Sequence, residues 1–507
     1  MSLGAFAEGI GMILSGSTLF WLIGGVLLGI IIGALPGLGP SLGMAILLPL
    51  TAPMEPGDAI ILLVSIYSGA MYGGAISAIL INAPGTAAAA ATTFEGYPMS
   101  RDGEALKALA ISATASATAG FMTIVVIILL MPVLVDIVLA FGSPEYFLIA
   151  FLGLAMITVI AQGSILKGLT AGMFGLMITT VGTTPMAVQP RYAYTDYFGF
   201  MLTRGIDFVA VLIGLFAIAE MFNLASEKGG ISRTGTVMSG SILSGVKTVF
   251  KYPVNLVKSA FIGLGIGAIP GAGSTVSTFV AYGESLRSSK NPDEFGKGSE
   301  RGLIAAESSN NGTIGGSLVP TLSFGIPGSA ATAVLLGGLI MHGLNPGPLL
   351  FSDELATTYS LYLALFIGNI LILTVGLVFI TQMSFITKVN AIYIIPIIIV
   401  FAVIGAYAIR GGPQAWLDVF TVLLLGVIGY YMKKYDYSII AFVLGVVLGS
   451  IAEQNLDRSL QLSDGSWFIF IDPVEQPLSL GLVIVIFLLL FGPFLKPFFS
   501  KLVRRAD

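Results

Sequence analysis

Pro84-Gly85-Thr86 and Pro327-Gly328-Ser329 each place a proline, a glycine and a hydroxyl in a row within an apolar stretch. Proline lacks an amide hydrogen and fixes its own φ, while glycine reaches backbone angles closed to other residues. Each triplet therefore ends one helix and lets another begin. A helix starting there presents free amides and the positive end of its dipole beside a hydroxyl, an arrangement suited to a carboxylate. Asn82 and Ser323, next to the two breaks, add hydrogen-bonding capacity. Two such starts can hold two ends of a di- or tricarboxylate without an arginine buried in the membrane, which is costly. A single Pro-Gly element reads equally well as a kink between packed helices, but its duplication favours a site.

A second group, Glu307-Ser308-Ser309-Asn310-Asn311-Gly312-Thr313, gathers hydroxyl, amide and carboxylate oxygens within one short stretch. These are the hard ligands a bare sodium ion requires, so a sodium site is expected at Asn310 and Asn311, with Glu307, Ser308, Ser309 and Thr313 as further cation ligands. The counterpart stretch, 65–71, supplies Ser68. An acid in apolar sequence is a functional candidate, so Glu307 reads as a sodium ligand or proton carrier. The competing reading puts it at the membrane face, paired with Arg301. With no cysteine and one histidine, His342, thiolate chemistry and multi-histidine metal sites are excluded. No cofactor other than the coupling ion is expected.

The elements that must position these residues are membrane helices. Hydrophobic residues make up 56% of the 507 positions and charged residues 10%, which no soluble domain of this length could hide. At roughly 20 residues per crossing the apolar stretches supply about ten to twelve spans. The expected fold is an all-α polytopic membrane protein of two repeats with Pro-Gly-broken helices or re-entrant hairpins. The net charge of -4 offers no basic patch for nucleic acid.

The repeat is legible in the motifs. GIIIGALPGLGPS from Gly29 and GLGIGAIPGAGST from Gly263 match at a constant offset of 234, aligning the break residues Pro36, Gly37 and Gly39 with Pro270, Gly271 and Gly273. YGGAISAILINAPGTAA from Tyr72 and IGGSLVPTLSFGIPGSAA from Ile314 carry the second break, with one inserted residue between the glycine pair and the proline. Paired interruptions at corresponding places in two halves point to a secondary transporter's binding site. Whether the halves run parallel or inverted stays open at this level. The expected division is a first repeat over 1–226, a basic cytoplasmic linker over 227–258, and a second repeat with C-terminal spans over 259–507. Lys496, Lys501, Arg504 and Arg505 place the C-terminus in the cytoplasm by the positive-inside tendency.

On these motifs, and on SSNNGTIGGSLVPTLSFGIPGSAATA from Ser308, the chain resembles the TctA family, the large membrane subunit of the tripartite tricarboxylate transporters. The resemblance implies a multi-pass protein of the bacterial inner membrane working with a small membrane subunit and a periplasmic solute-binding protein. It further implies import of citrate-like carboxylates on a sodium or proton gradient. The absence of a G-x-x-x-x-G-K-[ST] phosphate loop agrees with gradient coupling. The breaks would form hairpin tips of a moving body, with the remaining helices as scaffold. A carrier of another small organic anion is the nearest alternative. A channel lacks its repeated filter or charged ring, and an enzyme lacks paired acids, H-E-x-x-H or G-x-S-x-G.

Overall fold

The computed structural model describes residues 3–490 except 161–163, 185–188, 194–200, 227–237, 383–384 and 386–393. It is all-α, as hydrocarbon demands of a backbone whose amides must be satisfied within each segment. Among the described residues seven helices are long and apolar enough to cross a membrane, and eight shorter apolar helices accompany them. The chain forms two compact units, Met1–Val135 with Asp207–Lys434, and Asp136–Ile206 with Tyr435–Asp507.

The first unit opens with α1 (Leu3–Leu14), α2 (Gly16–Ala34), α3 (Pro40–Leu47), α4 (Pro56–Ile81), α5 (Ala90–Met99) and the start of α6 (Ala105–Leu139). The glycine ladder of α2 lies against α4, and contact moves from Gly25 at Leu62 and Ser65 to Gly33 at Ala70, so the two helices run parallel. A β-carbon on Gly33 would lie 2.1 Å from the Ala70 carbonyl oxygen, a clash that explains why small residues recur every fourth position.

The second unit takes up the chain at α7 (Ser143–Ile160) and α8 (Ile165–Thr179), followed by a two-residue antiparallel pair joining Gly182 to Arg191 and Thr183 to Pro190. The first unit resumes with α9 (Phe208–Ser226), α10 (Ile242–Lys251), α11 (Pro253–Gly267), α12 (Gly273–Arg287), α13 (Glu300–Phe324), α14 (Ala330–Met341) and α15 (Leu355–Val378). Of the expected linker, 227–237 lies outside the described residues, 238–241 is irregular, and the remainder holds α10 and the start of α11. Gly263 meets Ser309 and Gly267 meets Thr313, so α11 and α13 are parallel in the manner of α2 and α4.

Where α4 and α13 touch, the order reverses. Asn310 Nδ2 donates to the Met71 carbonyl at 3.1 Å, while Tyr67 and Ser317 hydroxyls lie 3.1 Å apart, so the two central helices run antiparallel. The unit closes with α16 (Ile394–Arg410) and α17 (Gln414–Lys434), joined by an ion pair between Arg410 and the fully buried Asp418. In the second unit α18 (Ile439–Leu462) packs on α7 and α8. There Arg191 grips Glu453 with both arms, at 2.6 and 3.0 Å, tying the short strand pair to α18. Lys496, Lys501, Arg504 and Arg505 lie outside the described residues.

Candidate functional site

Each break is built as its residues dictate. Gly37, Gly271 and Gly273 take positive φ values of 82°, 71° and 64°, angles that L side chains rarely adopt. α2 ends just before Pro36, and Gly39 caps α3. The second break of the first half begins at Asn82, an exposed residue in the left-handed conformation. The chain then folds back along α4 until the Gly85 amide donates to the Gly74 carbonyl at 3.2 Å. A β-carbon on Gly85 would fall 1.8 Å from the Gly33 carbonyl oxygen, so the two breaks of this half are pressed together. In the second half Gly271 and Gly273 donate to the carbonyls of Pro327 and Gly328, each at 3.1 Å.

Past the breaks, new helices begin at hydroxyl caps. Thr86 Oγ1 accepts from the Ala89 amide at 3.3 Å. Ser329 forms a reciprocal box with Thr332, accepting from its amide at 3.2 Å and donating its own amide to Oγ1 at 2.9 Å. Both caps are closed off, with Thr86 5% and Ser329 6% exposed. Ser323 is also buried, in the last turn of α13.

The two second breaks meet across α12. At its first residue the Gly273 amide reaches Gly328, and five residues on, Thr278 Oγ1 donates to the Ala88 carbonyl at 3.2 Å. Five residues of helix rise about 7.5 Å, so the start of α14 and the turn leading into α5 contact one helix within that span. Tyr67 of α4 completes the junction, its hydroxyl 3.4 Å from Ser329 Oγ. Thr278 was not among the expected site residues, although it lies five residues past the Pro-Gly-x-Gly motif whose last glycine begins its helix.

The α13 polar group divides by direction. Glu307 faces α5 and α6, where Thr92, Ser112 at 2.8 Å and Ser116 at 2.9 Å all donate to its carboxylate. It is fully buried and makes no ion pair among the described residues, whereas Arg301 lies over the Tyr252 ring. Asn310 turns to α4 and Asn311 to α15, where its Nδ2 lies 3.5 Å from Asn369 Oδ1. Thr313 bonds to Ser277 of α12 at 2.5 Å. The Ser68, Ser308 and Ser309 hydroxyls and the Asn310 and Asn311 amide oxygens are buried with no hydrogen-bond partner among the described residues.

Glu95 is a residue the sequence reading passed over. Fully buried near the end of α5, it accepts from the amides of Gly296, Gly298 and Ser299 at 2.7, 2.9 and 2.7 Å and from the Tyr282 hydroxyl at 2.7 Å. It thereby fastens the helix that follows the first-half break to the turn that precedes α13. Its signal in the sequence is a lone acid in TTFEGYPM, just past the first-half break. His342, bonded to Thr51 at 3.0 Å, caps α14 and stands apart from these groups.

The model of the tripartite tricarboxylate transporter TctA family matches residues 19–444. The chain is 35% identical, over 93% of both chains, to an uncharacterized 52.8 kDa protein of the TAR-I ttuC' 3' region of Agrobacterium vitis. A protein of the TAR-II ttuC' 3' region of the same organism is 33% identical over 44% of this chain and 93% of its own length. No solved structure matches.

Proposed function

Because the chain belongs to the tripartite tricarboxylate transporter TctA family, and so is a transporter membrane subunit, we propose that it imports citrate-like tricarboxylates or related carboxylates across the bacterial inner membrane. The uptake is driven by a sodium or proton gradient. A small membrane subunit completes the complex, a periplasmic solute-binding protein delivers the substrate, and the C-terminus lies in the cytoplasm.

The observation that carries this reading is the junction on α12, where Gly273 holds the Pro327-Gly328-Ser329 break and Thr278 holds the turn after Thr86. Two helix starts within one small-molecule length supply amides and hydroxyls to two carboxylates of one substrate, with dipoles in place of buried cations. The parallel pairs α2/α4 and α11/α13, set against each other by antiparallel α4 and α13, support an inverted-topology repeat with the site on its axis. Both caps are covered, so substrate entry requires the breaks to part from α12. The oxygen-rich turn at Asn310 and Asn311, beside the same α4, holds the coupling ion.

The test is uptake of radiolabelled citrate and a panel of dicarboxylates into proteoliposomes containing this chain and its small subunit, with the binding protein added and a sodium or proton gradient imposed or omitted. Gradient-dependent accumulation of a carboxylate supports the reading. No accumulation of any carboxylate with a functional binding protein removes this substrate class.

A further inference from the structure

Among the described residues, three of the buried oxygens without a hydrogen-bond partner lie on α4 and α13 where these helices meet a third. Ser68 on α4 and Asn310 and Asn311 on α13 contribute one each, all at most 1% exposed. The third helix is α15, through Asn369, which is 3% exposed. Its Nδ2 donates to the Leu365 carbonyl at 2.8 Å, and that bond turns Oδ1 towards Asn311. Next to it in sequence, a β-carbon on Gly368 would stand 3.7 Å from Ser68 Oγ, which puts that hydroxyl beside the same stretch of α15. From the other side Gly120 of α6 packs on the Asn369 amide so closely that a β-carbon there would lie 2.3 Å from Oδ1.

A buried amide oxygen or hydroxyl left without a partner is costly, and several on neighbouring packed helices are what a desolvated cation can recruit in place of its water shell. The donor set fixes the class of ion. All four groups are neutral, and among the described residues no three acid or histidine side chains gather as a divalent ion would require. The nearest carboxylate along the helix, Glu307, stands one turn before Asn310 and Asn311 and faces α5 and α6 instead.

We propose that Asn369 of α15, with Asn310, Asn311 and Ser68, forms a site for a single dehydrated alkali cation, which makes α15 part of the coupling machinery. The proposal rests on the ion-coupling part of the proposed function and names a ligand that lies outside both repeated motifs. It also gives Gly120 a role, since α6 must approach Asn369 without a side chain for the amide to keep its position.

The experiment is binding of sodium-22 to the purified full chain, with displacement by unlabelled sodium, potassium or choline chloride. Wild-type chain is expected to bind the isotope saturably and release it to sodium but not to choline. Asn369→Leu, which removes the oxygen, and Gly120→Ala, which drives a β-carbon against that same oxygen from α6, should each weaken binding about tenfold or more. Thr374→Ala, on the exposed side of the same helix, should bind as wild type does. Each variant is first checked for a wild-type elution profile and melting temperature in choline. If Asn369→Leu folds in this way and binds sodium within about twofold of wild type, the proposal is overturned. Absence of saturable binding in the wild type also overturns it. Uptake distinguishes the two failures. Sodium-dependent uptake that keeps its sodium dependence in Asn369→Leu removes Asn369 and leaves the coupling reading standing, wild-type uptake driven by a proton gradient and indifferent to sodium removes the cation site and leaves proton coupling, and uptake indifferent to both gradients removes both.

Discussion

Thr86 and Ser329 each do two jobs: the hydroxyl caps a helix, and the same cap is the proposed contact for a substrate carboxylate. The structural part is modest, since replacing an N-cap hydroxyl by alanine costs about 1 kcal/mol. Ser329→Ala should therefore lower the thermal midpoint only slightly. A large loss of stability, read from a melting curve, would mean that the Tyr67–Ser329–Thr332 junction matters more to the fold than to transport. Glu95 behaves differently. Glu95→Gln keeps the shape but turns one acceptor oxygen into a donor facing the amides of 296–299, so at least one buried amide loses its partner. Hydrogen exchange at Gly296, Gly298 and Ser299 should accelerate by about tenfold, the equivalent of roughly 1.4 kcal/mol of lost protection. Unchanged exchange would show that the turn is held by other contacts.

At the scale of elements, the parallel pairs depend on glycine faces that admit a neighbouring backbone. Gly33→Ala and Gly267→Ala should each destabilise the first unit by about 1–3 kcal/mol through overpacking, whereas Gly265→Ala, with nothing within 4 Å of the new carbon, should be neutral. Melting curves of the three variants decide this. The glycine ladders and Pro-Gly breaks were readable in the sequence because their causes are local: a missing β-carbon, a fixed φ, a forced interruption. What they pack against was not. That Gly85 sits on Gly33, or that Gly273 reaches across to Gly328, follows from tertiary packing that leaves no periodic trace. Thr92, Ser112 and Ser116 were hidden for another reason. In a stretch such as ISATASATAG, hydroxyls look like the small residues of any close helix contact, and only the fold turns two of them, with Thr92 of α5, onto Glu307. Asn369 was more visible, as a lone amide within LYLALFIGNILILTV, but it lies outside the repeat that drew the reading.

At the scale of the whole molecule, the breaks and the polar turn of α13 all belong to the first unit, so the proposed chemistry is confined to one of two compact bodies. The natural chain contains no cysteine, which makes it a clean background for introducing a pair. Ala88→Cys with Thr278→Cys joins the turn after Thr86 to α12 at a contact now made by a hydrogen bond of 3.2 Å. If the breaks must leave α12 for substrate to enter, oxidising this pair should stop carboxylate uptake and reduction should restore it. Full uptake with the bond formed would mean that this junction stays closed throughout the cycle. The measurement that tests the central claim most directly is the concentration dependence of citrate uptake in proteoliposomes for Thr86→Ala, Ser329→Ala and the double variant. Paired helix starts holding one substrate predict a KM raised about tenfold in each single variant and further in the double. Unchanged KM values in all three, with uptake intact, would contradict the claim that these helix starts bind the carboxylates.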